Sequence, residues 1–362
     1  MVTRKTLQSI AVLGCLLLGG FAAAGDRLGG KLLVENYGTL LLIAPDGSQT
    51  PLPKQAIAAA PSPDGKYLAL ITGVWHPPLG PWEEQKLVVK ALPGGPESEI
   101  IKLPAGSYCQ HLEWMPDGRT VAYDAAVRGR GDDLFVVPVL PAPGQPRKLG
   151  EWYEEGSFSP DGSRIVHAVR GPESRGLEAI ELASGKRTMI HRTKAVVWDA
   201  RYSPDGKYIA YRMTIRDPPP ATDEEPECGG PTIGLWIYSF AKDNSAQVVI
   251  RAAPTDWDDV KNFAWSPDSR RIALSLGTTD CDYPGSAAGV FLTDVEQKQQ
   301  LRISTSILSV EPAFSPDGTT VAFVDVSESP SKLMLYEIGS RSLRLLSQAS
   351  EQANYYRLLG WK

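Results

Sequence analysis

Residues 203–211 read SPDGKYIAY, and the unit recurs as SPDGKYLAL at 62–70, MPDGRTVAY at 115–123, SPDGSRIVH at 159–167, SPDSRRIAL at 266–274 and SPDGTTVAF at 315–323. Its proline presets φ for the second position of a type I turn, its aspartate tolerates the third, and its glycine supplies the positive φ that reverses the chain. The unit therefore joins two antiparallel strands. In five of the six copies the strand before it ends in a large ring two positions ahead of the proline: Trp114, Phe158, Tyr202, Trp265 and Phe314. The strand after it alternates, as in Tyr208-Ile209-Ala210-Tyr211, with a small alanine where a neighbouring sheet has to come close.

Counted from Pro63 through Pro116, Pro160, Pro204 and Pro267 to Pro316, the spacings are 53, 44, 44, 63 and 49 residues. Each period holds two further strand-like runs, such as Gly234 to Phe240 and Gln247 to Arg251, which gives the four strands of a propeller blade. One such sheet cannot bury both faces alone, but copies arranged radially bury them against one another. The chain ends supply a seventh unit. Residues 354–361 (NYYRLLGW) read as an innermost strand, and Lys31 to Val34, Gly38 to Ile43 and Ser48 to Pro53 as the three strands that complete its blade. The fold class is thus all-β, a β-propeller of four-stranded blades. Seven blades follow if the C-terminal strand closes the ring against the N-terminal strands, and six if the terminal strands only extend existing blades.

These SPDG-containing units resemble the TolB-type, WD-repeat-like propeller family over nearly all of residues 29–362. The resemblance implies the fold and says little about activity, because the family's turn residues are structural. The family's namesake carries an additional N-terminal domain for which this chain has no room, so no full Tol-system role is implied. Prolyl-oligopeptidase relatives join a propeller to a separate hydrolase domain, which is not read here. Oligogalacturonate lyases use a similar propeller with a histidine-bound metal. The four dispersed histidines, His76, His111, His167 and His191, argue against that analogy.

Composition excludes several classes. The 362 residues are 42% hydrophobic and 22% charged with a net charge of −5, too balanced for a disordered chain or a basic nucleic-acid-binding one. Arg4 and Lys5, the apolar run Ile10 to Phe21 and Ala22-Ala23-Ala24 read as a secretory signal over residues 1–24. Its apolar run is too short for a permanent span, and residues 25–362 form one propeller domain. The run Val12-Leu13-Gly14-Cys15 resembles a lipobox, but apolar residues continue past Cys15, so a lipid anchor there is the lesser reading. The exported chain, net charge −7 without its leader, is expected in the periplasm or secreted, as a monomer.

Functional residues are expected on the face that carries the connections between second and third strands. Residues 74–85, 127–132, 216–232 and 278–288 are insertions of that kind, and the blade-to-blade connections around residues 151–155, 198–199 and 256–259 share their face. Aromatic rings and carboxylates concentrate there: Trp82, Trp152, Tyr153, Trp198, Trp257, Asp258, Asp259 and Tyr283. Such a rim suits an envelope protein or peptide, or a glycan stacked on the rings. The plainer alternative is that the tryptophans fill gaps between blades and the acids solubilise the loops. The adjacent tripeptide Arg130-Gly131-Asp132 spells an adhesion motif and is read as chance.

Five residues before each turn proline stand His111, Glu155, Asp199, Asn262 and Glu311, with Ala58 and Leu358 in the other two blades. Equivalent ring positions share one height, so these polar groups are expected to converge on the central channel, where a hydrated wall is the plain reading. No cofactor and no metal is assigned to them. Cys228 and Cys281 occupy corresponding insertions of adjacent blades and are expected to form a disulfide in an oxidising compartment. Cys109 is expected to be a small buried hydrophobe. The chain has no G-x-S-x-G elbow, H-E-x-x-H, phosphate loop or G-x-G-x-x-G. The reading is a non-enzymatic protein-interaction scaffold of the cell envelope, ahead of a glycan- or peptide-binding propeller. A hydrolase or lyase with Glu155, Asp199 and His111 at the channel mouth comes third.

Overall fold

The computed structural model describes residues 30–36, 39–52, 56–75, 82–92, 94–104, 107–109, 111–127, 132–152, 156–170, 175–216, 232–247, 259–277, 287–306, 308–349 and 356–361. These residues form strands and turns without a helix, so none contributes a helix long and apolar enough to cross a membrane. Seven antiparallel sheets follow one another in a ring. Blades 1 to 6 span 56–102, 107–152, 157–192, 197–247, 259–302 and 309–348. Blade 7 is composite, with Arg357–Trp361 pairing with Leu32–Asn36, which leads to Thr39–Ile43 and Gln49–Pro51.

The seven hydrophobic clusters show why the ring closes. Each draws on two neighbouring blades, and together they fill all seven seams. The alanines after the turns, Ala69, Ala122, Ala210, Ala273 and Ala322, are fully buried, so a larger side chain there would hold two sheets apart. Trp114, Phe158, Tyr202 and Phe314 are buried in the seams and Trp265 is half-buried. Two indoles also hydrogen-bond to the preceding blade: Trp114 Nε1 to the Ala60 carbonyl at 2.9 Å and Trp265 Nε1 to the Arg201 carbonyl at 3.3 Å.

The serine and aspartate of the repeat act as a pair. In the blade 4 turn, Ser203 Oγ donates to Asp205 Oδ1 at 2.7 Å and accepts the Tyr208 N–H at 3.0 Å, while Asp205 Oδ1 accepts the Lys207 N–H at 3.1 Å. Blades 1, 3, 5 and 6 repeat this arrangement. Ser159 and Ser163 hold the Asp161 carboxyl below its ordinary range by hydrogen-bonding the ionised form.

Two details differ from the sequence expectation. The innermost strand of blade 2 is broken into Ser107–Tyr108 and Leu112–Trp114, and the Asp124 carboxylate accepts the His111 N–H at 2.6 Å beside the break. In blade 4 the outer strands are Thr232–Ser239 and Asn244–Gln247, because Asp243, at φ 47°, turns the chain earlier than the apolar pattern suggests.

Candidate functional site

The two ends of the ring are built differently. One carries the proline–aspartate turns, five of which pair a serine with the aspartate. The other carries the connections between second and third strands and between blades, including residues 76–81, 128–131, 217–231, 248–258 and 278–286, which fall outside the described residues. Tyr153, Glu155, Trp257, Asp258, Tyr283, Cys228 and Cys281 also lie outside them, as does the leader with Cys15. Trp82 opens the third strand of blade 1 in register with Trp75, and Trp152 ends the outermost strand of blade 2 opposite Asp132.

The structure brings Trp198, Asp199, Asp259 and Asn262 together at the seam between blades 4 and 5. Trp198 is half-buried and pairs in register with Arg212. A bulge follows it. Within that bulge Asp199 takes φ 43°, a left-handed conformation that costs a non-glycine residue about 1 kcal/mol. Its carboxylate is 2% exposed and ion-paired with Arg212. Arg212 in turn donates across the seam to the carbonyls of Val260 at 3.1 Å and Lys261 at 2.8 Å. Asp259 is buried and paired with Lys261. Asn262 Oδ1 accepts the Phe263 N–H at 2.7 Å and lies 3.4 Å from Arg201, whose guanidinium sits 4.4 Å from the Phe263 ring centre.

Blade 6 repeats the bulge. Glu311, at φ 55°, accepts the Leu358 N–H at 2.7 Å and faces Arg357 at 4.0 Å, which also reaches Glu35 at 3.5 Å. His111 is 3% exposed, with Nε2 3.6 Å from Glu113 Oε2. That distance is too long for a hydrogen bond, and burial pushes the imidazole down to about 4, so at neutral pH His111 is uncharged and the contact is not an ion pair. Cys109 is a buried free thiol whose pKa burial drives up, opposite to what a reactive thiolate requires. Among the described residues no three His, Cys, Asp or Glu side chains gather in a way that could hold a metal ion.

Sequence reasoning missed Arg212 and Asp124, although a signal for both exists. Eight positions after the turn proline the other copies carry Ile71, Ala168, Ser275 and Val324, whereas blades 2 and 4 carry Asp124 and Arg212. A charge in a position otherwise small or apolar marks an inner strand that needs a polar partner. Arg201, Lys261 and Arg357 gave no comparable signal, because what each meets is set by the neighbouring strand or blade.

Solved structures with this architecture match the chain. TolB from Acinetobacter baumannii superposes with a TM-score of 0.53 at 17% identity, over 82% of this chain and 66% of its own. The fold is a TolB-like seven-bladed β-propeller. An oligogalacturonate lyase in complex with manganese matches with a TM-score of 0.62 at 13% identity, over 85% of this chain and 86% of the lyase. The tricorn protease gives 0.62 at 10% identity over 88% of this chain, which spans only 33% of that protein. No protein-family model matches the sequence, and no curated protein matches it. Similarity at these identities establishes the fold, which hosts unrelated chemistries.

Proposed function

We propose that the protein is an exported, non-enzymatic scaffold of the cell envelope that binds a protein or peptide partner on its insertion face. The asymmetry of the two faces carries this reading. One face spends its polar side chains on closing the turns, while the other bears connections of unequal length, rich in tryptophan, tyrosine and carboxylates, on a rigid ring. The described part of the channel mouth favours binding over acid–base chemistry, because Asp199 is engaged by Arg212 and His111 is buried and neutral.

Site-specific photo-crosslinking tests the proposal. A photoreactive residue at Trp257, Asp258 or Tyr283 is expected to capture a discrete protein, and the same residue at Lys66 or Lys207 in the turns is expected to capture none. Equal capture from both faces, or none from either, would remove the scaffold reading. Asp259 is left intact in these variants, because its carboxylate is part of a seam.

Glycan recognition in the same funnel is the second reading, supported by the near-equal mutual coverage with the oligogalacturonate lyase. Calorimetric titration with oligogalacturonate checks it: heat that saturates and is lost on replacing Trp198 would move this reading ahead of the protein partner.

A further inference from the structure

Blade 3 stands apart from the rest of the ring in charge. Residues 157–194, the blade and the start of the connection that follows it, hold seven lysines and arginines against four acids, in a chain whose net charge is −5. No other blade has more basic than acidic residues. The surplus gathers at the insertion-face end. Arg170 and Arg175 pair in register on either side of residues 171–174, which fall outside the described residues and contribute one acid, Glu173. Gly176 pairs in register with Arg192 on the outermost strand, and Lys194 follows in the connection to blade 4.

The backbone holds this corner together. The Arg175 carbonyl accepts the Thr193 N–H at 3.1 Å, and Arg175 Nη1 donates to the Lys194 carbonyl at 3.0 Å. Gly176, at φ 143°, lets the two outer strands meet, since a methyl group there would lie 1.9 Å from the His191 carbonyl oxygen. Arg192 and Lys194 are exposed and Arg175 is half-buried. The described acids of the blade are engaged elsewhere. Glu178 meets His167 at 3.1 Å and Arg187 at 2.8 Å, while Asp161 and Glu181 accept from Ser159 and Ser184 at the turn end. Among the described residues no carboxylate forms an ion pair with Arg175 or Lys194.

We propose that this corner receives an acidic segment of a protein partner, with aspartate or glutamate carboxylates set against Arg175, Arg192 and Lys194. The inference rests on the scaffold reading above and names the chemistry of its partner. Charge complementarity selects the occupant. Guanidinium groups match carboxylates bidentately and the lysine adds a mobile point charge. The net negative charge of the other blades opposes an acidic segment anywhere else, which directs it to blade 3. A nucleic acid would need a cationic track far longer than one blade end.

Fluorescence anisotropy of labelled hexaglutamate titrated with the full chain tests this, with labelled hexalysine as the control. Hexaglutamate binding is expected to saturate at low salt and to weaken as sodium chloride rises from roughly 50 to 300 mM. Arg192→Gln combined with Lys194→Gln leaves the Arg175 tie in place and is expected to weaken binding about tenfold. Lys66→Gln combined with Lys207→Gln, on the turn face, is expected to leave it unchanged. No saturation with the parent, equal binding by the two double variants, or hexalysine bound as tightly would each overturn the inference. So would trigalacturonate that saturates through Arg192 and Lys194 where hexaglutamate does not, because the corner would then serve a uronate glycan. Crosslinking from Trp257 or Tyr283 reads the scaffold proposal separately. Capture without hexaglutamate binding removes only the acidic-segment inference, and hexaglutamate binding without capture removes only the scaffold.

Discussion

Trp361 donates its indole N–H to the carbonyl of Gly30 at 2.6 Å, joining residues 331 positions apart. Trp114 and Trp265 send their indoles to the preceding blade, whereas Trp361 bonds inside its own composite blade, tying the C-terminal strand to a residue just ahead of the N-terminal strand it pairs with. Tyr356, just ahead of the last strand, adds a polar hub. Its fully buried hydroxyl donates to the Gln348 carbonyl at 2.7 Å, lies 3.0 Å from Ser347 Oγ and accepts from Gln49 Nε2 at 3.0 Å.

That hub predicts a selective cost. Tyr356→Phe retains the ring and its packing but takes away the oxygen that joins blade 6 to blade 7. Leaving those polar groups short of a partner is expected to cost about 1–3 kcal/mol in urea unfolding. An unchanged midpoint would show that closure depends on the apolar cluster alone.

The turn belt gives a second prediction. A methyl group on Gly118, Gly162, Gly206 or Gly318 would lie 4.0, 3.8, 3.5 or 3.3 Å from the turn proline of the preceding blade, so each turn glycine faces that proline. Blade 5 has Ser269 instead, at φ 62°, and its hydroxyl accepts the Asp205 N–H at 3.0 Å. The left-handed conformation costs about 1 kcal/mol and the hydrogen bond returns a similar amount. Ser269→Gly is therefore expected to be near neutral. Ser269→Ala keeps the strain and strips the amide of its acceptor, a loss of about 1–2 kcal/mol in thermal unfolding. Equal stability of the two variants would contradict this account.

The fold was legible because one local signal, the proline–aspartate–glycine turn, recurs at blade-sized spacing and fixes where each innermost strand ends. Even the composite blade could be read, since NYYRLLGW stops at the ring position that elsewhere precedes the turn. The candidate site was less legible. Ring position placed Asp199 and Glu311 on the innermost strands, but their left-handed bulges and arginine partners arise from contacts between strands and blades. Asp259 was read as part of an exposed rim, yet it is buried against Lys261 and Ile233. A charge pattern in sequence does not say which acid is spent on an inter-blade contact.

His111 predicts the acid response of blade 2. Burial holds its folded pKa at about 4, below the ordinary value near 6.5, so the unfolded chain takes up the proton first. The stability this group supplies is complete above roughly pH 6.5 and is lost as pH falls toward about 4, a change on the order of 3 kcal/mol. Unfolding free energies measured across that window are expected to fall more steeply for the parent than for His111→Asn. Parallel curves would mean that His111 is protonated as easily in the folded chain as in the unfolded one.

The remaining prediction concerns Cys228 and Cys281, which lie outside the described residues. In the chain, segment 217–231 joins the second and third strands of blade 4, and segment 278–286 joins those of the neighbouring blade 5. Oxidation would join the two sulfurs, releasing two protons and passing two electrons to a disulfide-exchange oxidant of an oxidising compartment, which the proposed export would supply. Non-reducing peptide mapping of protein isolated without reductant is expected to recover both cysteines in one linked fragment that separates on reduction. Cys228→Ser is expected to lower stability by about 2–4 kcal/mol, because the cross-link restricts the unfolded chain. Recovery of two unlinked, alkylatable thiols from freshly isolated protein would refute the pairing.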